Sequence, residues 1–230
     1  MALLILLAVA LAGWRWLQDH PQHNPWAPLS LDDPPGWATA RKLVSLRDNP
    51  GMCKAALERS GIAFTELPPA GEGACRRDDR TVLGDDVSRG FALRPAGAAA
   101  TCAVNAGMLL WLAQGVQPAA RVHLGSLVAR IEHYGTNSCR RIGGGGSSGW
   151  SEHATGNAID IAAFVLADGR RISVRESWLA GDDKAAFLHA ARDQACGVFG
   201  TVLSPAYNAA HDDHFHLDQA DGRRGWSYCR

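Results

Sequence analysis

Two groups of histidines in the 230-residue chain have the types and spacing to do chemistry. One histidine, His153, lies in the segment Ser151-Glu152-His153-Ala154-Thr155-Gly156-Asn157-Ala158-Ile159-Asp160, and three more crowd into His211-Asp212-Asp213-His214-Phe215-His216. Side chains alternate along a strand, so His214 and His216 share one face while Phe215 and Leu217 point into a core. By the same alternation Asp160 faces away from Ile159 and Ile161. Two such strands present His216 and Asp160 from one sheet face, and His153 arrives from the turn before its strand. Two imidazoles and one carboxylate around an open fourth position form the ligand set of a hydrolytic zinc centre. Zn2+ in such a site lowers the pKa of a bound water to about 7. His214, beside the ligand His216, is placed to take a proton from that water or to deliver one to a departing amine. His211 reads as a second acid or an orienting hydrogen-bond partner. His20 and His23 belong to a tether, and His123, His133 and His189 to helices; these read as structural or solvated.

The elements that must position these groups follow from periodicity and punctuation. Residues 158–165 read as a strand, and Asp168-Gly169 marks a tight turn into 172–175, giving a hairpin. The last strands are expected at 198–203 and 214–217. Helices are expected at 38–48; at 52–60, with Asn49 as N-cap and Pro50 at the first helical position; and at 105–114. A further helix is read at 122–134, where Val122, Leu124, Leu127, Val128 and Ile131 recur at helical spacing. Another is read at 183–195, with Ala186, Phe187, Ala190 and Ala191 on its inner side. The Gly-rich run 143–149 is a mobile loop before Trp150 and reads as a substrate-gating lid. The fold class is α+β, a small antiparallel sheet flanked by helices and carrying the His/Asp/His zinc site. Four segments are expected: 1–17 as a signal or membrane anchor, 18–36 as a Pro-rich tether, 37–101 as a small N-terminal lobe, and 102–230 as the domain bearing the site.

Composition narrows the partners. With 47% apolar residues the chain can bury an ordinary core, and 23 Lys and Arg against 23 Asp and Glu leave no net attraction for a polyanion. Nucleic acid is therefore excluded as a main partner. Residues 2–13 are uninterrupted small or apolar residues, continued past Arg15 by Trp14, Trp16 and Leu17. Ala10-Leu11-Ala12 fits a signal cleavage site, whereas the paired tryptophans suit an uncleaved anchor at a membrane interface. Either reading sends the rest of the chain out of the cytosol. The six cysteines stand more than twenty residues apart in succession and include no C-x-x-C clip, so disulfides are expected. The expected pairs are Cys53 with Cys75, Cys139 with Cys196, and Cys102 with Cys229.

Ser151, His153, Gly156, Ala158 and Asp160, followed by a late His-x-His, resemble the metallopeptidase superfamily that groups lysostaphin, D-Ala-D-Ala peptidases and hedgehog signalling domains. The longer motifs are Asn24-Pro25-Trp26-Ala27-Pro28-Leu29, Gly115-Val116-Gln117-Pro118-Ala119, the 151–160 segment and 211–218. Through these the chain resembles the bacterial extensin-like C-terminal domain family. Similarity to the penicillin-insensitive murein endopeptidases implies that His153, Asp160 and His216 hold zinc, with His211 and His214 as non-ligand active-site residues. The Glu-x-x-His of the dipeptidase branch is missing, and Asp212 and Asp213 are weak substitutes for its general base. Relatives carry an Arg that meets the substrate carboxylate or oxyanion near Tyr134-Gly135-Thr136-Asn137-Ser138-Cys139-Arg140, and Arg140 is assigned that role. The resemblance implies a zinc-dependent hydrolase of the bacterial periplasm or envelope, acting on peptidoglycan or another cell-wall peptide and meeting the membrane through its N-terminal segment. The alternative it leaves open is a non-catalytic envelope module with a hedgehog-like zinc site.

Overall fold

The computed structural model describes residues 1–86, 92–144, 149–221 and 227–230. An apolar first segment forms one helix, α1 (Ala2–Asp19), with no buried residue. Its mean hydropathy of 1.4 and its 18-residue length are enough to cross a membrane, as a signal or anchor requires. The chain then turns against the rest of the protein. Lys42 Nζ donates to the Pro21 carbonyl at 2.7 Å, and Leu29 and Leu31 join the hydrophobic core. Helices α2 (Thr39–Leu46) and α3 (Pro50–Arg59) follow, the second starting with Pro50 at its first position and Asn49 at its N-cap, as read. Asn49 makes no side-chain capping bond there. Strands β1 (Phe64–Glu66) and β2 (Thr81–Leu83) pair as a small antiparallel ribbon.

One helix anchors everything else. In α4 (Cys102–Trp111) all ten residues are buried, and Thr101 caps its start by accepting from the Val104 amide. A π-turn leads from it into α5 (Gln117–Leu124), which ends at Gly125 with φ +65°. That left-handed conformation is the ordinary glycine stop to a helix. Residues 37–101 and 102–230 contribute side chains to a single core cluster, which also holds Cys53 and Cys102.

The principal sheet comprises β3 (Leu93–Arg94), β4 (Val128–Gly135), β5 (Ala158–Leu166), β6 (Arg171–Ser173), β7 (Thr201–Leu203), β8 (Phe215–Asp218) and β9 (Tyr228–Cys229). Its order among the described residues is β3-β4-β5-β8-β7-β9, with β6 pairing β5. It is larger than expected and mixed, because β3 with β4 and β7 with β9 run parallel. Short helix α6 (Val174–Ser177) follows β6, so the expected second hairpin strand ends early. Helix α7 (Asp183–Ala195) matches its expected bounds and buries Phe187 and Ala191, together with Ala185, Leu188 and Ala195. Phe164 of β5 meets Trp111 and Phe187 edge-on, so α4 and α7 cover one face of the sheet. Asp160 and His216 occupy the other.

Two expectations are corrected. Residues 128–134 form strand β4 rather than the end of a helix, and His133 lies on that strand. The cause is a bulge: the register with β5 skips Ala129, so Val128 and Ile131 both turn inward at a spacing of three, which imitates helical periodicity. The disulfides join Cys53 to Cys102, Cys75 to Cys139 and Cys196 to Cys229, none of them an expected pair. Packing decides the partners, since α3 lies on α4 and β9 runs beside β7 near the end of α7. Residues 145–148 of the Gly-rich run, and the lid expected there, lie outside the described residues.

Candidate metal centre

A single short turn delivers His153. Ser151 caps the 3-10 turn Glu152–Thr155, its hydroxyl accepting from the His153 amide at 3.3 Å. Gly156 ends the turn at φ +73°, where an added Cβ would also meet Arg77 and the Ala99 carbonyl. Asn157, fully buried, then donates to Glu152 and accepts from the Thr101 hydroxyl. The His153 carbonyl accepts from the Asn137 side chain and the Ser138 amide, both at 3.0 Å. The spacing His-x-x-Gly-x-Ala-x-Asp is thus a turn, a glycine stop and a strand entry.

Pairing of β5 with β8 supplies the rest. Asp160 sits directly opposite His216, while Ile159 and Ile161 face Leu217 and Phe215 in the core. The three expected ligands converge. His153 Nε2 lies 3.1 Å from Asp160 Oδ1 and 3.0 Å from His216 Nδ1, and those last two atoms are 3.0 Å apart. Ligands on a tetrahedral zinc at 2.0–2.1 Å are roughly 3.3 Å apart, so a few tenths of an ångström of expansion admits an ion. These three residues could hold a metal ion.

Electrostatics fit that use. Burial opposes ionisation of Asp160, but hydrogen bonds from His153 and His216 outweigh it and hold the carboxyl well below the usual range. Burial likewise opposes a charged His216, yet Asp160 and Asp218 push its pKa up to about 9. A site that stabilises a proton between two carboxylates offers the same field to a cation. Asp218, the last residue of the 211–218 motif and given no role from sequence, accepts from His216 Nε2 at 2.9 Å. It thereby leaves Nδ1 as the ligand atom, the usual carboxylate support of a ligating histidine. The alternation that put His214 and His216 on one face also put Asp218 there, which was the available signal.

His214 stands beside the triangle and outside it. Its Nε2 is 3.6 Å from Asp160 Oδ1, and its Nδ1 is 2.8 Å from Asp213 Oδ1. A carboxylate only accepts, so Nδ1 carries a proton, and in the neutral ring it is Nε2 that presents a lone pair toward the cluster. Tyr134, also unassigned from sequence, donates to Asp213 Oδ2 at 3.2 Å and packs edge-on against the His214 ring. The register of β4 with β5 skips Tyr134, so a second bulge aims this side chain at the site. His211 lies with its ring 5.2 Å from that of His214, its Nδ1 bonded to Asn208. Burial, with the neighbouring His214 and His216 charges, lowers its pKa to about 4. Arg140 is exposed, follows the disulfide-bonded Cys139, and adds its charge to those that depress His211.

Fold and site together define an α+β domain whose outer sheet face carries a clustered His/Asp/His group with an adjoining Asp-His pair. The family model "Extensin-like protein C-terminus" matches residues 51–230, and the chain belongs to that family. Comparison with curated proteins and with solved structures finds no match.

Proposed function

We propose that the chain is a zinc-dependent hydrolase of the bacterial cell envelope that cleaves peptide bonds in peptidoglycan. The observation that carries this reading is the position of His214, adjacent to the three donor atoms yet held off them by Asp213. A purely structural metal tie has no use for an oriented imidazole at its open side. The mixed nitrogen and oxygen donor set suits zinc better than calcium or magnesium, which prefer all-oxygen shells. Zinc bound by His153, Asp160 and His216 supplies Lewis acidity toward a water and a substrate carbonyl.

The remaining work belongs to the chain. Asp213 keeps the Nδ1 proton on His214, so Nε2 accepts a proton from the attacking water and passes it to the departing amine nitrogen. Tyr134 holds Asp213 from the other side. Arg140, exposed beside the site, faces the growing negative charge on the carbonyl oxygen. His211, kept neutral by its surroundings, lends a hydrogen bond rather than a charge. The envelope setting is supported by the apolar α1 and by the three disulfides, which form outside the reducing cytosol. The resemblance of 151–160 and 211–216 to zinc peptidases of the lysostaphin and murein endopeptidase type supports the reaction class.

Mass spectrometry of muropeptides incubated with the zinc-loaded protein tests the reading. New, shorter stem peptides that vanish with chelator are expected. An unchanged muropeptide profile together with bound zinc would favour the non-catalytic module instead.

A further inference from the structure

The outer sheet face that carries the cluster continues into a groove of about 420 Å³ whose lining includes Arg94, Arg130, Glu132, Tyr134, Ala162 and Arg171. Tyr134 closes the near end and touches His214 with its ring, so groove and cluster share a wall. Ala162 is the residue skipped in the register of β5 with β4, only two positions beyond Asp160. That bulge lets Ile161 and Phe164 both turn into the core and leaves Ala162 on the groove side. The small side chain keeps the floor low between the two sites.

The far end is cationic. Arg130 and Arg171 flank Val165 on its two neighbouring strands, and Arg94 joins from β3, beside β4. Their negative partners do not saturate them. Glu132 takes the Arg171 Nε–H at 2.8 Å and stands 3.5 Å from Arg130, so one carboxylate serves two guanidinia. Asp85 engages Arg94 through both oxygens. Among the described residues, the terminal nitrogens of Arg171 and most donors of Arg130 have no acceptor. Side chains of all three arginines are 43–48% exposed, so they remain open to a ligand. A planar guanidinium pair with spare N–H groups recognises carboxylate in a fork geometry.

We propose that this groove is a substrate subsite that binds a free carboxylate of the peptide being cleaved. The proposal rests on the hydrolase reading for the word substrate, but its geometry stands without it. Val165 is five positions from Asp160, about 13–16 Å along a strand that takes up one residue in the Ala162 bulge. An extended peptide rises by a similar step per residue, so the recognised carboxylate lies roughly three to five residues from the bond at the cluster. The ligand class is therefore an acidic peptide laid along β5, with its anionic end between Arg130 and Arg171 and its scissile end past Tyr134.

The test is calorimetric titration of the full chain with the synthetic peptide L-Ala-γ-D-Glu-meso-diaminopimelyl-D-Ala and with the same peptide carrying carboxamides in place of its carboxylates. Weakening by about tenfold or more on amidation is expected, as is the same loss in Arg130→Gln/Arg171→Gln but not in Arg121→Gln, which lies on α5. Equal affinity for the two peptides overturns the proposal, and that comparison needs only the wild-type chain. Inorganic phosphate competing as well as the peptide overturns it too, by showing an unselective anion patch. Carboxylate-dependent binding without cleavage keeps the groove and removes the hydrolase reading. Cleavage of both peptides at equal rates does the reverse.

Discussion

Asp213 accepts the Nδ1 proton of His214 at 2.8 Å, and this one bond fixes which nitrogen of the imidazole faces the His153, Asp160 and His216 donors. His214→Ala is therefore expected to keep the metal and lose turnover by roughly 10²- to 10⁴-fold, the usual worth of a positioned acid-base group. Asp213→Asn should lower kcat in the same direction without changing metal content, because an amide can donate to Nδ1 and reverse the tautomer. Elemental analysis alongside muropeptide hydrolysis separates the two effects. Loss of metal in either variant would place these residues among the ligands.

Asp218 acts on the metal through His216. Asp218→Asn should weaken zinc affinity by about 10- to 100-fold, as removal of a carboxylate behind a ligating histidine generally does. Competition against a chromophoric chelator reads this directly. An unchanged affinity would show that the 2.9 Å contact with His216 Nε2 has no bearing on the site.

Gly156 permits the turn that carries His153. Ala at φ +73° costs about 1–2 kcal/mol of conformational strain, before any contact with Arg77. Gly156→Ala should lower Tm and, by tilting the turn, weaken zinc binding as well. Thermal melts with and without added zinc measure both, and a variant equal to wild type in each would remove the turn from the account.

Asp79 gives the pH dependence its clearest sign. Burial raises its pKa, against a backbone hydrogen bond from Cys102 at the start of α4, and its Oδ1 has no partner among the described residues. A carboxyl whose folded pKa lies above its unfolded value contributes stability that is full at low pH and is lost as pH rises through the folded pKa. Asp79→Asn keeps an acceptor for Cys102 without the buried charge. Its Tm should exceed that of wild type at pH 7, with the gap closing as pH falls through the carboxyl range. A lower Tm at every pH would mean that the charge at the helix start outweighs its burial.

How much of this was legible depends on how local each cause is. Strict alternation in His214-Phe215-His216-Leu217 carries its own face assignment, whereas 158–165 alternates only weakly because Ala162 is bulged; the local run Ile159-Asp160-Ile161 still sets the face of Asp160, so the three candidate ligands could be named before the strands were paired. Helix α7 was legible from its apolar side at Phe187 and Ala191, and the structure adds the cap, the Asp182 side chain accepting from the amides of Lys184 and Ala185. Bulges defeat periodicity: Ala129 made β4 look helical, and Tyr134 reaches Asp213 only because the register skips it. Cysteine partners are a tertiary property, and no spacing rule could have joined Cys53 to Cys102 across the packing of α3 on α4. The role of Arg140 rests on its position beside the site rather than on a bond, since among the described residues its hydrogen bonds are backbone ones to Ser138 and Ser151.

Zinc stoichiometry most directly tests the convergence of His153, Asp160 and His216. Titrating the metal-stripped full-length protein with zinc should give one tight site per chain, abolished in Asp160→Ala and in His216→Ala but retained in His214→Ala. Absence of a tight site in wild type, or equal binding by all four proteins, would contradict the account.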